Sequence, residues 1–207
     1  METTEWSGVV SGVTQSSVLG PILFNLFIND LEDGVSSAIS VFVDDTKLSR
    51  AITSPQDVET LQKDLNKLMG WATTWQMRFN VEKFKITHLG GKNMNAIYSL
   101  GGEPLGESRM EKDLGVLVDD GLSNDMQCQA AANKANRILA CIKKGINARD
   151  EEIILPLYKT LVRPHLEYAV QFWAPVLKKD VLEMQLIQRR ATKLIKGLKD
   201  ISYEERL

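Results

Sequence analysis

Two adjacent carboxylates, Asp44 and Asp45, follow the apolar run Val41-Phe42-Val43. Hard divalent cations such as Mg²⁺ take oxygen ligands, commonly one or two carboxylates completed by substrate phosphates. Two such ions can clamp the attacking and leaving oxygens of an in-line phosphoryl transfer, chemistry that usually draws carboxylates from more than one strand. An Asp-Asp pair in a turn is more often simply solvated, because Asp is a favoured turn residue. Here the apolar arm before it argues for the end of a buried strand. The two cysteines, Cys128 and Cys141, and the two histidines, His88 and His165, make no zinc spacing. Both cysteines fall in one helical stretch, which suits reduced intracellular thiols better than a disulfide.

The elements around the acidic pair read as follows. Residues 5–11, with Trp6, Val9 and Val10, suit a strand, and 12–16 a loop. From Ser17 to Leu31 the apolar positions recur at helical spacing, with Pro21 in the first turn, where its missing N–H costs little. Residues 38–48 favour two extended arms, with the aspartates where the chain turns. Ser54-Pro55 opens a helix that runs to about Trp75 with the stripe Val58, Leu61, Leu65, Leu68, Met69 and Ala72. Short β pieces follow at 85–89, 96–100 and 114–118, with Gly90-Gly91 and Gly101-Gly102 as turn signals. Beyond Asp120 the strands give way to helical periodicity at 125–144, 150–162 and 178–199. The chain therefore reads as α+β, with a boundary at 119–123 between a mixed domain (1–120) and an all-helical one (121–207).

At 207 residues, 43% hydrophobic and 25% charged, the composition is that of an ordinary folded protein. No apolar run reaches the roughly 20 residues of a membrane span, and the first residues carry no signal-peptide pattern, so we expect an intracellular protein, in nucleus or cytoplasm. The net charge of -2 conceals an asymmetry. Residues 1–125 hold 10 Lys/Arg against 18 Asp/Glu, and 126–207 hold 15 against 9. A basic second half hints at nucleic-acid contact. Its candidate phosphate contacts are Lys134, Arg137, Lys143, Lys144, Arg189, Arg190, Lys193 and Lys196, with Arg189, Lys193 and Lys196 expected on one helical face opposite Leu186, Ile187, Leu194 and Ile195.

The run Ser11-Gly12-Val13-Thr14-Gln15-Ser16-Ser17-Val18-Leu19-Gly20-Pro21-Ile22-Leu23-Phe24-Asn25, followed by Phe42-Val43-Asp44-Asp45-Thr46-Lys47, resembles the reverse transcriptases of non-LTR (LINE-type, CR1/jockey-like) retrotransposons. Lys112-Asp113-Leu114-Gly115-Val116 and Arg163-Pro164-His165-Leu166-Glu167-Tyr168 fit the same family in the right order. The resemblance implies a partial palm, a short antiparallel sheet with helices, followed by a helical thumb. It implies that Asp44, with Asp45 beside it, is a magnesium ligand and that Gly12, Gln15 and Ser16 lie beside the template and incoming nucleotide. Lys83 would donate a proton to leaving pyrophosphate, a role open to a lysine held near phosphate. Leu114-Gly115 would belong to the hairpin that grips the primer end. The basic helices would hold the RNA–DNA duplex through phosphates. The parent reaction is Mg²⁺-dependent transfer of deoxynucleotides from dNTPs to a primer on an RNA template.

The sequence departs from that pattern in three places. Thr14 stands where Pro is usual and Ser16 where Gly is usual, which adds a side chain where close backbone approach is expected. Val43 replaces Ala, a change that suits a strand. The family's other metal-binding aspartate lies upstream of the loop at Gly12 and has no counterpart here, so we expect weak or absent Mg²⁺ binding and no activity from these residues alone. The Asp44 hairpin would also lack a strand neighbour, and an open apolar edge invites self-association. A non-catalytic nucleic-acid-binding protein acting through the basic half, or a degenerate product without a role, are the alternatives.

Overall fold

The computed structural model describes residues 17–43 and 45–206. The strand expected at 5–11 and the site candidates Gly12, Gln15, Ser16 and Asp44 lie outside the described residues. The chain forms two compact units. The first holds the described residues up to Ile86 together with 92–107, and the second holds 87–91 and 108–206. The mixed α and β content agrees with the α+β reading.

In the first unit, α1 (Leu19–Phe27) leads to the antiparallel hairpin β1 (Ala38–Phe42) and β2 (Asp45–Ser49). Helix α2 (Pro55–Thr74) then runs for 20 residues. Its start matches the Ser54-Pro55 expectation and is locked locally. The Asp57 carboxylate accepts from the Ser54 backbone N–H at 3.0 Å and from the Ser54 hydroxyl at 2.9 Å. A 3₁₀ turn, Val81–Lys83, precedes β3 (Lys85–Ile86). Next come β4 (Ser99–Leu100), β5 (Glu103–Pro104) and β6 (Gly106–Glu107), β4 pairing antiparallel with β5 and β3 parallel with β6. The core gathers Leu65, Tyr98, Leu100 and Leu105, bordered by Phe79 and Phe84.

The second unit starts its regular structure with the hairpin β7 (Met110–Asp113) and β8 (Val116–Asp119). Helices α3 (Asp125–Gly145), α4 (Glu151–Leu157), α5 (Arg163–Glu167), α6 (Val170–Trp173) and α7 (Lys178–Thr192) follow. A wider π turn, Tyr158–Val162, carries α4 past Pro156, whose ring supplies no N–H to the helical ladder. The core is Ala132, Ala135, Leu139, Ile154, Val162 and Ile187, with Val116, Cys128, Ala131 and Trp173 forming a second cluster. The β7–β8 hairpin thus packs with the helices, ahead of the change of texture at 119–123. Buried Gln127 on α3 fastens it, accepting from the Leu117 N–H at 2.9 Å.

Two local expectations are corrected. The extended piece at 114–118 is interrupted, because Leu114 and Gly115 form the turn between β7 and β8. The helix expected to reach Lys199 stops at Thr192. Its last turns tighten, with Leu194 N–H donating to Ala191 and Ile195 N–H to Thr192, and Gly197 then takes φ +86°, the left-handed conformation that ends helices. Lys193 and Lys196 therefore lie past the helix, although the Lys193 N–H still donates to the Arg189 carbonyl at 3.3 Å. No helix among the described residues is long and apolar enough to cross a membrane.

Candidate functional site

The acidic hairpin is mounted on α2 at both of its ends. At the entry, the Asp64 carboxylate accepts from the Ser36 N–H (3.1 Å), the Ser37 N–H (2.8 Å) and the Ser37 hydroxyl (2.7 Å). Its other oxygen pairs with Lys67 at 3.1 Å, and Lys67 also donates to the Gly34 carbonyl. Asp64 is fully buried, which opposes its charge, yet these donors outweigh burial and hold its pKa below the ordinary value. At the exit, Arg50 reaches Asp57 at 3.4 Å and donates to the Ser36 carbonyl, while Thr53 and Ser54 also donate to Asp57. Hydrogen bonds from Ser54 and Thr53 keep Asp57 well below the usual carboxylate range. Sequence reasoning missed Asp64, although an acid set among the apolar stripe positions Leu61, Leu65 and Leu68 was the signal for it.

At the far end, Asp45 opens β2 directly opposite Phe42. The arm expected to be buried is not: Val41, Phe42 and Val43 are 38%, 60% and 58% exposed. Among the described residues β1 pairs only with β2, so its other edge has no strand neighbour. Val43 is not in the strand either. It sits in the turn at φ +56°, which is strained for a β-branched side chain. Lys83 ends the 3₁₀ turn with its side chain exposed, and among the described residues no ion pair joins it to Asp45. Before the hairpin, Ser17 Oγ accepts from the Gly20 N–H at 2.9 Å and starts α1. Phe27 seats that helix edge-on against Trp71 and Trp75, with centroids 5.7 and 5.5 Å away. Among the described residues no group of three or more His, Cys, Asp or Glu side chains gathers to hold a metal ion.

In the second unit, two motifs far apart in sequence meet. Tyr168 Oη donates to the Leu114 carbonyl at 2.7 Å, and a Cβ added to Gly115 would lie 3.3 Å from the Tyr168 ring. Leu114 (φ +44°) and Gly115 (φ +90°) both lie in the left-handed region. Nothing local in the sequence announces this contact, which spans 54 residues.

The basic residues divide. Lys134, Arg137 and Lys144 are exposed along one side of α3 with Cys141 between them, opposite the buried Ala131, Ala135 and Ile142. Lys143 is exposed on a different side of α3. Lys134 also lies near His165, which is held below its ordinary pKa by burial first and by this lysine second. Arg190 is tied to Asn136 at 2.8 Å. Arg189 is half-buried with its guanidinium 4.5 Å over the Tyr203 ring, so it serves packing rather than the free face expected of it.

Residues 2–136 match the family described as reverse transcriptase (RNA-dependent DNA polymerase). The chain is 26% identical over 203 residues to the RNA-directed DNA polymerase from mobile element jockey of Drosophila melanogaster, covering 91% of this chain and 22% of that protein. The jockey polymerase of Drosophila funebris is 25% identical over 206 residues, with the same coverage. The protein named probable RNA-directed DNA polymerase from transposon X-element of Drosophila melanogaster is 25% identical over 202 residues, again with 91% of this chain and 22% of the relative covered. The chain thus spans about a fifth of the length of these relatives. No solved structure matches it significantly. With a family match over more than half of its residues, and similarity to the polymerases of non-LTR retrotransposons, the chain belongs to the reverse transcriptase family.

Proposed function

We propose that these 207 residues are the palm remainder and thumb of an RNA-directed DNA polymerase of a non-LTR retrotransposon. The observation that supports this most is the family match over residues 2–136, which includes the Asp44-Asp45 hairpin and the Leu114-Gly115 hairpin in their family order. In this reading Asp44 and Asp45 would hold Mg²⁺, which their hard oxygen donors suit. When bound, the ion stabilises charge on the transferring phosphoryl group. Asp64 and Asp57 fix both ends of the hairpin that carries the pair, and pre-set geometry of this kind is what phosphoryl transfer requires. Lys83 offers its ammonium to pyrophosphate as general acid. Gly12, Gln15 and Ser16 border the template, Leu114-Gly115 borders the primer end, and the stripe Lys134, Arg137, Lys144 on α3 contacts duplex phosphates.

Two adjacent carboxylates are half a two-metal site, so the 207-residue polypeptide by itself binds duplex without extending it. Primer extension on an RNA template with Mg²⁺, comparing this polypeptide with its Asp44→Asn variant, tests both parts. Extension that disappears in the variant supports the polymerase reading and overturns the inactivity. The exposed α3 stripe favours one further reading, a non-catalytic nucleic-acid-binding protein. It predicts duplex affinity that falls steeply with salt and is indifferent to Asp44→Asn.

A further inference from the structure

Tyr168 belongs to the segment Arg163–Tyr168, for which the proposed function has no use, yet its hydroxyl reaches the tip of the β7–β8 hairpin. Its own backbone is held from behind. The indole Nε1 of Trp173, 1% exposed, donates to the Tyr168 carbonyl at 2.7 Å. Ala169, between them, takes φ +53° to turn the chain back. Trp173 shares its buried cluster with Val116, the first residue of β8. The hairpin tip is therefore held twice, by Val116 in the core and by Tyr168 outside. The side chain of Tyr168 remains 56% exposed, so its hydrogen bond is not a requirement of burial.

We propose that Tyr168 is a positioning residue for nucleic-acid binding: it fixes the Leu114-Gly115 backbone at the height at which it meets the recessed 3′ end of a primer. The inference rests on the primer-end reading of that hairpin. Gly115 has no side chain where Tyr168 closes on it, so the ring seats directly against the backbone of the tip. The Leu114 carbonyl accepts from the Tyr168 hydroxyl, which restrains the peptide it belongs to.

The test is binding of the 207-residue polypeptide to two RNA–DNA probes, one with a recessed primer 3′ end and one a continuous duplex, by fluorescence anisotropy. Amide hydrogen exchange at residues 110–119 is followed in parallel. Tyr168→Phe keeps the ring against Gly115 and removes only the hydroxyl. We expect it to lower the preference for the recessed end roughly three- to tenfold, the worth of one hydrogen bond. Affinity for continuous duplex should stay unchanged and the melting temperature should fall by only a few degrees, while exchange across residues 110–119 speeds up. A loss of equal size on both probes means a structural role and overturns the inference. An unchanged preference with unchanged exchange overturns it as well, leaving the primer-end reading intact. If the wild-type polypeptide shows no preference for the recessed end, the primer-end reading falls and takes this role of Tyr168 with it.

Discussion

Tyr168 and Gly115 are fitted to each other: the ring stands 3.3 Å from the point where any side chain at Gly115 would begin. With Gly115 at φ +90°, an alanine there meets both an unfavourable backbone and a close neighbour. Gly115→Ala should cost about 1–3 kcal/mol in urea denaturation. Adding Tyr168→Ala should recover part of that loss, because it removes the neighbour and leaves the backbone penalty. Strict additivity of the two changes would count against the contact.

Val43 offers the opposite case. A β-branched residue at φ +56° is strained, and glycine visits that region freely. Val43→Gly should stabilise the first unit by about 1 kcal/mol, the usual cost of the left-handed conformation to an L-residue. A lowered urea midpoint would contradict the strain.

Asp64 makes the first unit sensitive to acid. Its pKa in the fold lies below the ordinary 3.8 because the Ser36, Ser37 and Lys67 donors outweigh its burial. A depressed carboxylate contributes its stability in full above the unfolded value and loses it as pH falls through the folded one. Asp64→Asn should therefore cost about 2–3 kcal/mol at pH 7, as hydrogen bonds to a buried charge are lost. The gap between variant and parent should narrow below about pH 4, measured as urea midpoints across the pH series.

The two cysteines should react very unequally. Burial, aided by Asp180 and Asp125, pushes the Cys128 thiol up to about 11, while Cys141 is exposed. A maleimide at pH 7 should modify Cys141 alone, read by mass spectrometry. If α3 faces a duplex, RNA–DNA should slow that modification several-fold at low salt, and the protection should vanish at high salt.

The exposed Val41-Phe42-Val43 arm, on a sheet that has two strands among the described residues, should promote self-association through its open edge. Sedimentation velocity should show a concentration-dependent shift that Val41→Lys reduces. A monomer at all concentrations would remove this expectation.

Much of the architecture was legible because local chemistry dictated it. Ser54-Pro55 fixed the start of α2, the strand-favouring residues of 38–48 announced the hairpin, and the helical periodicity at 125–144 announced α3. What escaped was tertiary. Val43 reads as a strand residue by type, but the register Phe42 opposite Asp45 puts it in the connection. Gly197 carried the stop signal for α7, masked by the Leu194-Ile195 pair that continues the apolar pattern. Leu114 looked extended because its neighbours are. At the candidate site, the residue types at Asp45, Lys83 and the α3 stripe were readable, but their holders Asp64 and Tyr168 act across 27 and 54 residues. No local pattern encodes such distances.

The burial of Trp173 also gives this protein an internal lamp. Its indole is shielded from water and bonded to a carbonyl, whereas Trp71 and Trp75 sit together against Phe27 in the other unit. With Trp71 and Trp75 replaced by phenylalanine, and Trp6 likewise, all ultraviolet emission excited at the red edge would come from the residue that holds Tyr168. The colour of that light would then follow the second unit alone.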